Sequence, residues 1–318
     1  MEALERNCQN PHDNSDTTSS KLGDFLVELA NIFYAQCAAL GAESDEELRA
    51  VRESLLALIY MRHCQCDPLL QESKCNILGD AAPSLRSHHL VGEYLLKAFG
   101  VSLLTPHSIK LLDQSSNMQR DVIDFLWGDC DNSELNAAFT DPTILGLCYE
   151  SLLGPVRSSS TSSDAASSKN KEGIFYTPPF IVELIVEQTL KRVAPRCNTA
   201  STKLPRVLDP ACGTGFFLIR AFRHLTRNFS LQVSLEERAH TVLSHLIYGV
   251  DKDSYAIELA KLTLLLEYTR LVPEFLNSAA EPPELLLRVG NSLIDTTMLS
   301  ISDIATHDRL QPLNWAKE

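Results

Sequence analysis

The chain has 318 residues, of which 44% are hydrophobic and 22% charged, and it carries a formal net charge of −13. That balance is globular, and no apolar run reaches the ~18 residues of a membrane span. The reading is therefore a soluble, cytoplasmic protein with no membrane partner. Residues 1–170 hold 12 basic and 24 acidic side chains against 16 and 17 in the remainder, so the acidity lies in the N-terminal half. Such a chain is poorly suited to neutralising a nucleic-acid backbone by itself, because Lys and Arg supply most non-specific affinity.

Residues 1–21, ending in SDTTSSK, have neither the basic start nor the apolar core of a secretory signal and read as a disordered leader. From residue 22 to 157 the apolar residues recur at three- and four-residue spacing, as in LGDFLVELANIFYAQCAAL and DEELRAVRESLLALIYMRHC, predicting a helical N-terminal domain. Gly41 and Gly100 follow apolar runs, where a left-handed residue ends a helix, and Asp45 is placed to cap the next one. Residues 158–171, SSSTSSDAASSKNK, have almost nothing apolar to offset the entropy of ordering and read as a linker. The nine cysteines are scattered and odd in number, which suits free thiols. His63, Cys64, Cys66 and Cys75 bunch together without the second pair a zinc site needs, so no metal is expected.

Residues 172–318 change texture. GIFYTPPFIVELIVEQTLKRV predicts a turn and a helix, with Thr177 able to cap it and Pro178 and Pro179 in its first turn. RVLDP then reads as a strand. A turn with Gly213 and Gly215 leads into a helix whose inward stripe is Leu218, Ala221, Phe222 and Leu225. HLIYGVD is a second strand, SYAIELAKLTLLLEY a second helix and LLLRVGNSLID a third strand. This alternation predicts an α/β fold: a parallel sheet with helices on both faces, preceded by the helical region.

Ligands bind beyond the carboxyl ends of such strands, and there the residue types are specific. Gly213 and Gly215 permit close approach, but Leu218 stands where a dinucleotide fingerprint has its third glycine, and no Lys-Ser/Thr follows as in a phosphate-binding loop. Asp209, at the end of the first strand, repels a pyrophosphate and attracts an amine or sulfonium. Asp251, at the end of the second, can accept both hydroxyls of a ribose. Asn291 can donate to and accept from an adenine edge, or can simply end a strand. A cation, a ribose and an adenine together describe S-adenosyl-L-methionine.

With GIFYTPP, DPACGTGFF, GVDKD and GNSLID in this order, residues 143–295, from LGLCYESLLG onward, resemble the adenine-N6 DNA methyltransferases of restriction–modification systems, above all type IIG enzymes and type I modification subunits. The resemblance implies a Rossmann-like, S-adenosylmethionine-dependent methyltransferase sheet, present in part. It implies that Tyr176, Thr177 and Pro178 contact the methionine end of the cofactor, and that Asp209, Pro210, Ala211, Gly213, Gly215 and Phe216 wrap it. Asp251 would hold the ribose, and Asn291, Ser292 and Leu293 would flank the adenine. Phe216 and Phe217 are read as one core residue and one ligand-facing residue.

The family holds the flipped target base with Asn/Asp-Pro-Pro-Tyr/Phe after a fourth strand. The nearest strings here are TPPF from Thr177 and EPPE from Glu281, so no catalytic residue is assigned and the chain reads as a truncated or split enzyme. Double-stranded DNA would be engaged through further C-terminal segments or a partner, such as a complementing methylase or specificity subunit. The alternatives are an inactive cofactor-binding scaffold and an RNA or protein methyltransferase. A dehydrogenase is disfavoured by Asp209 and the missing glycine. A nuclease reading of ESK at residues 72–74 is disfavoured by its helical flanks, and a nucleophilic role for Cys212 by the lack of a nearby His.

Overall fold

The computed structural model describes residues 12–71, 87–106, 108–110, 116–128, 133–153, 177–193, 204–228, 233–278, 280–295 and 312–313. The linker expected at 158–171, together with Cys75, residues 72–74 and Tyr176, lies outside them.

The N-terminal half is helical. α1 (His12–Leu40) begins inside the stretch read as a leader, so the backbone is helical from His12. α2 (Asp45–Cys66) is followed by α3 (Pro68–Gln71), α4 (Ser87–Phe99), α5 (Ser116–Trp127), α6 (Ser133–Phe139) and α7 (Ile144–Leu152). Gly41 and Gly100 end α1 and α4 at φ of 63° and 65°, as their positions predicted. The cap of α2 is Ser44 rather than Asp45. Its Oγ accepts from the Glu47 N–H at 3.3 Å, and the Glu47 carboxylate accepts from the Ser44 N–H at 3.0 Å. This Ser-x-x-Glu pair satisfies two orphan donors where an aspartate would satisfy one. α2 is buried on nearly every side from Glu53 to Cys64 and is the axis of the helical region. Two of its buried polar residues are held by bonds to other elements or turns: Glu53 accepts from Arg49 and from the N–H and hydroxyl of Thr105, and His63 Nδ1 meets the Phe139 carbonyl.

The second half begins with α8 (Pro179–Val193). The Pro178 carbonyl accepts the first intrahelical bonds, from Ile181 and Val182, so Pro178 sits at the cap and Thr177 lies before it. Then come β1 (Val207–Asp209), α9 (Phe216–Asn228), α10 (Leu235–His245), β2 (Ile247–Asp251) and α11 (Ser254–Leu271). A 3₁₀ turn at Pro273–Asn277 leads to β3 (Leu286–Val289), β4 (Asn291–Asp295) and β5 (Pro312–Leu313). The predicted stripe of α9 is buried at all four positions. The expected third strand is two strands: the chain leaves the sheet at Gly290, and β4 pairs in parallel with β5. Gly290 has no side chain to pack in a ladder, which makes it the natural break.

The main sheet is parallel in the order β1-β2-β3, with Asp209 beside Gly249 and Asp251 beside Val289. Among the described residues its helices cover one face, not two. Gly249 faces α9, and a Cβ there would lie 2.7 Å from Leu218 Cδ1. The alternate residues Leu208, Tyr248, Val250, Leu286 and Arg288 instead line a hollow of about 280 Å³ on the opposite face. The cause is handedness. Strand order advances in one direction, so right-handed crossovers deliver every connecting helix to the same side.

The two halves share one apolar core, α7 packing on α1, α2 and α11. Two arginines fasten the contact. Arg223 of α9 bonds Glu267 and Asp141, and Arg270 of α11 bonds Asp67 and the Thr140 carbonyl. Asp67 is thereby an ion-pair partner at the end of α2. Cys37, Cys64, Cys66, Cys148 and Cys212 are free thiols, and among the described residues no His/Cys/Asp/Glu cluster is arranged to hold a metal. No described helix is long and apolar enough to cross a membrane.

Candidate cofactor site

The site is built where β1 and β2 end. After Asp209 the chain turns sharply: the Ala211 N–H donates to Asp209 Oδ1 at 3.1 Å, the Cys212 N–H to the Val250 carbonyl at 2.9 Å, and the Gly215 N–H to the Cys212 carbonyl at 2.8 Å. Gly213 and Gly215 take φ of 50° and 86°, the left-handed region that side chains oppose. A Cβ on Gly215 would in addition come within 3.1 Å of Ala260 Cβ, so the turn and α11 touch backbone to side chain. Gly215→Ala is expected to lower the melting temperature by several degrees, checked by scanning calorimetry, because it combines backbone strain of about 1–3 kcal/mol with that contact.

Asp251 is the centre of this geometry. Its Oδ2 accepts from the Gly213 N–H at 2.8 Å, its Oδ1 from the Asp253 N–H at 2.9 Å and its backbone carbonyl from the Gly290 N–H at 2.8 Å. One carboxylate thus joins the glycine turn, the end of β2 and the start of β4. Each carboxylate oxygen still has a lone pair for a further donor. Asp209 is half-buried, and burial raises its pKa, the Ala211 N–H opposes the rise, and the Asp251 charge adds to it. Two carboxylates held together in this way favour a cation between them. Cys212 is a packing residue, its thiol pushed far up by burial and by both aspartates.

A third element, unassigned from sequence, completes the site. α7 lies against the turn so closely that a Cβ on Gly146 would stand 2.6 Å from Thr214 Oγ1. The buried Thr214 hydroxyl donates to Glu150 Oε1 at 3.2 Å, and the next-door Tyr149 hydroxyl donates to Asp253. The signal was present in LGLCYESLLG, a small residue three positions before Tyr-Glu on one helix.

The other expected residues are more dispersed. Pro210 and Ala211 are exposed on the turn. Phe216 packs beside Gly146, and Phe217 lines a groove of about 400 Å³ between β1 and α8 that also includes Asp209, Pro210, Ile185 and Leu190. Asn291 adjoins Asp251 through Gly290, but its Oδ1 is engaged by the Leu293 N–H at 3.1 Å. Ser292 is half-buried and Leu293 is 85% exposed. Among the described residues neither Thr177 nor Pro178 hydrogen-bonds to the turn; their helix reaches it by packing on α9.

The class the fold defines is an α/β protein, a parallel sheet whose polar edge lies at a glycine turn. More narrowly, residues 141–271 match the model of the N-6 DNA methylase family. The match begins at Asp141, so it takes in α7. The type I restriction enzyme MjaVII methylase subunit of Methanocaldococcus jannaschii is 34% identical over 99 residues, 29% of this chain and 15% of the relative. The EcoEI methylase subunit of Escherichia coli is 32% identical over 109 residues, 34% of this chain and 17% of the relative. The matched stretches thus span about a sixth of these relatives. A modification subunit of a putative type I restriction enzyme from Vibrio vulnificus aligns over 89% of this chain and 58% of its own, with 17% identity and a TM-score of 0.41.

Proposed function

We propose that this chain is the cofactor-binding portion of a DNA adenine-N6 methyltransferase of a restriction–modification system, which transfers methyl from S-adenosylmethionine to adenine N6. The observation that carries the reading is Asp251, anchored by Gly213 and Asp253 beside the turn and paired with the half-buried Asp209. The residues present fit the cofactor. Asp251 has acceptor capacity for ribose hydroxyls, Asp209 faces the cationic end, the two glycines admit close approach, and Asn291 stands nearest an adenine edge. Tyr176, Thr177 and Pro178 are assigned to the methionine end by family resemblance. The cofactor supplies an electrophilic methyl group on a positively charged sulfur. The chain's part is to bind and orient it, since no Asn/Asp-Pro-Pro-Tyr/Phe stands in this sequence to hold the target base.

That group would come from further segments or a partner subunit. Among the described residues β1 pairs on one side alone, Leu208 is half-exposed there, and the groove beneath α8 is apolar along Ile185, Val186 and Leu190. A strand added at this edge would end beside Asp209, where a base-holding residue is needed. The same partner would supply the phosphate contacts that an acidic chain lacks.

Titration calorimetry with S-adenosylmethionine tests the reading. Binding is expected, NAD is expected to give none, and a site that prefers NAD would sink it. Affinity for S-adenosylmethionine is expected to fall as pH is lowered, beginning above the ordinary aspartate value of 3.8, because the raised Asp209 carboxyl is neutralised early and no longer attracts the sulfonium. Asp209→Asn should bind more weakly and lose that pH dependence.

A further inference from the structure

Tyr149 carries an inference that rests on the cofactor reading above. It belongs to α7 in the helical half, 104 residues from the carboxylate it bonds. It is 3% exposed, its ring lies 5.4 Å from that of Tyr255, and the Arg49 guanidinium of α2 sits over Tyr255 at 5.8 Å. The partner, Asp253, does two things at once. Its Oδ1 caps α11 by accepting from the N–H groups of Tyr255 at 2.9 Å and Ala256 at 3.3 Å, while its own N–H donates to Asp251 Oδ1. The cap uses Oδ1 alone. Oδ2 is the atom that receives the Tyr149 hydroxyl, so this bond is not needed to start the helix. What it fixes is the rotation of the Asp253 side chain and, through it, the backbone N–H aimed at Asp251. Burial, then the Asp253 charge, raise the phenol far above its ordinary range, so the hydroxyl stays a donor wherever the protein is folded.

We propose that Tyr149 is a positioning residue for the ribose-binding carboxylate of Asp251, acting through Asp253. The helical region is then part of the cofactor site rather than an appendage to it. Its effect is expected at the ribose above the rest of the ligand, because it acts on Asp251 Oδ1, while Oδ2 keeps its bond to the Gly213 N–H of the turn.

The test is calorimetric titration with S-adenosylhomocysteine and with its 2′,3′-dideoxyribose analogue. Wild type is expected to prefer the hydroxylated ligand. Tyr149→Phe, which keeps the ring packing, is expected to bind S-adenosylhomocysteine about ten-fold more weakly, the scale of one charge-assisted hydrogen bond, and to lose most of that preference. Asp253→Ser, which retains a capping oxygen but offers none to Tyr149, is expected to do the same and serves if Tyr149→Phe folds poorly. Ser151→Ala, on the same helix, is expected to leave both affinities unchanged. Equal weakening of the two ligands, or an unaltered preference in both variants, overturns the positioning role while leaving the cofactor reading intact. No binding of either ligand by wild type overturns the cofactor reading and this inference together.

Discussion

Asp251→Ala is expected to remove S-adenosylmethionine binding from the titration altogether, a loss of at least about 100-fold. The estimate comes from the number of donors that converge on one carboxylate. Gly213 and Asp253 donate to it in the folded protein, and each N–H left unpaired at this partly buried place costs about 1–3 kcal/mol. The proposed contacts to two ribose hydroxyls would be lost as well. The loss therefore has two readouts: weaker binding, and a melting temperature lowered even in the absence of ligand. Asp251→Asn is expected to fail nearly as badly, because an amide has one acceptor where two backbone donors are waiting. An unchanged binding isotherm for either variant would remove the ribose assignment and with it the reason for choosing a nucleoside ligand.

This centre was legible in the sequence because its parts are local. A carboxylate one residue beyond an apolar strand, and glycines before a helix, can be read from spacing alone. The stripe Leu218, Ala221, Phe222 and Leu225 was legible for the same reason. Tyr149 and Glu150 were not, since nothing in a helical pattern says which turn in a distant sheet a helix will meet; the contact spans 64 residues for Glu150 and Thr214. The break at Gly290 was missed because an apolar run on either side of one glycine reads as one strand. The one-sided sheet was missed because βα alternation predicts helices without saying in which direction the strands advance. Ser44 displaced Asp45 as a cap because the reciprocal Glu47 bond is worth more than the choice of capping residue.

The charged network was equally hidden, since arginines on amphipathic helices are ordinarily solvated, and it yields the second large effect. Arg223→Met is expected to destabilise the protein by about 3 kcal/mol, measured by urea unfolding, at the lower end of the cost of breaking a buried ion pair. Arg223 and Glu267 have side chains 13% and 6% exposed, and among the described residues removing the guanidinium leaves the glutamate with Arg270, at 3.3 Å. That remaining partner keeps the loss from reaching the top of the range. Asp141, the third member, supplies an independent check. Burial alone would raise its pKa, but Arg223, followed by hydrogen bonds from Thr143, outweighs it and holds the carboxyl at about 2. A depressed carboxylate contributes stability that is fully present above its unfolded value of 3.8 and is lost as pH falls from there to about 2. In Arg223→Met the Asp141 carboxyl moves back toward the unfolded value, so the pH dependence of stability in that window is expected to flatten. Arg223→Met/Glu267→Leu should regain part of the loss, since apolar groups can replace a buried pair, but not all of it, because Arg270 then loses a partner. Full recovery, or an unchanged acid slope in the single variant, would mean that Arg223 is solvated and that the helical half is held to the sheet by its apolar contacts alone.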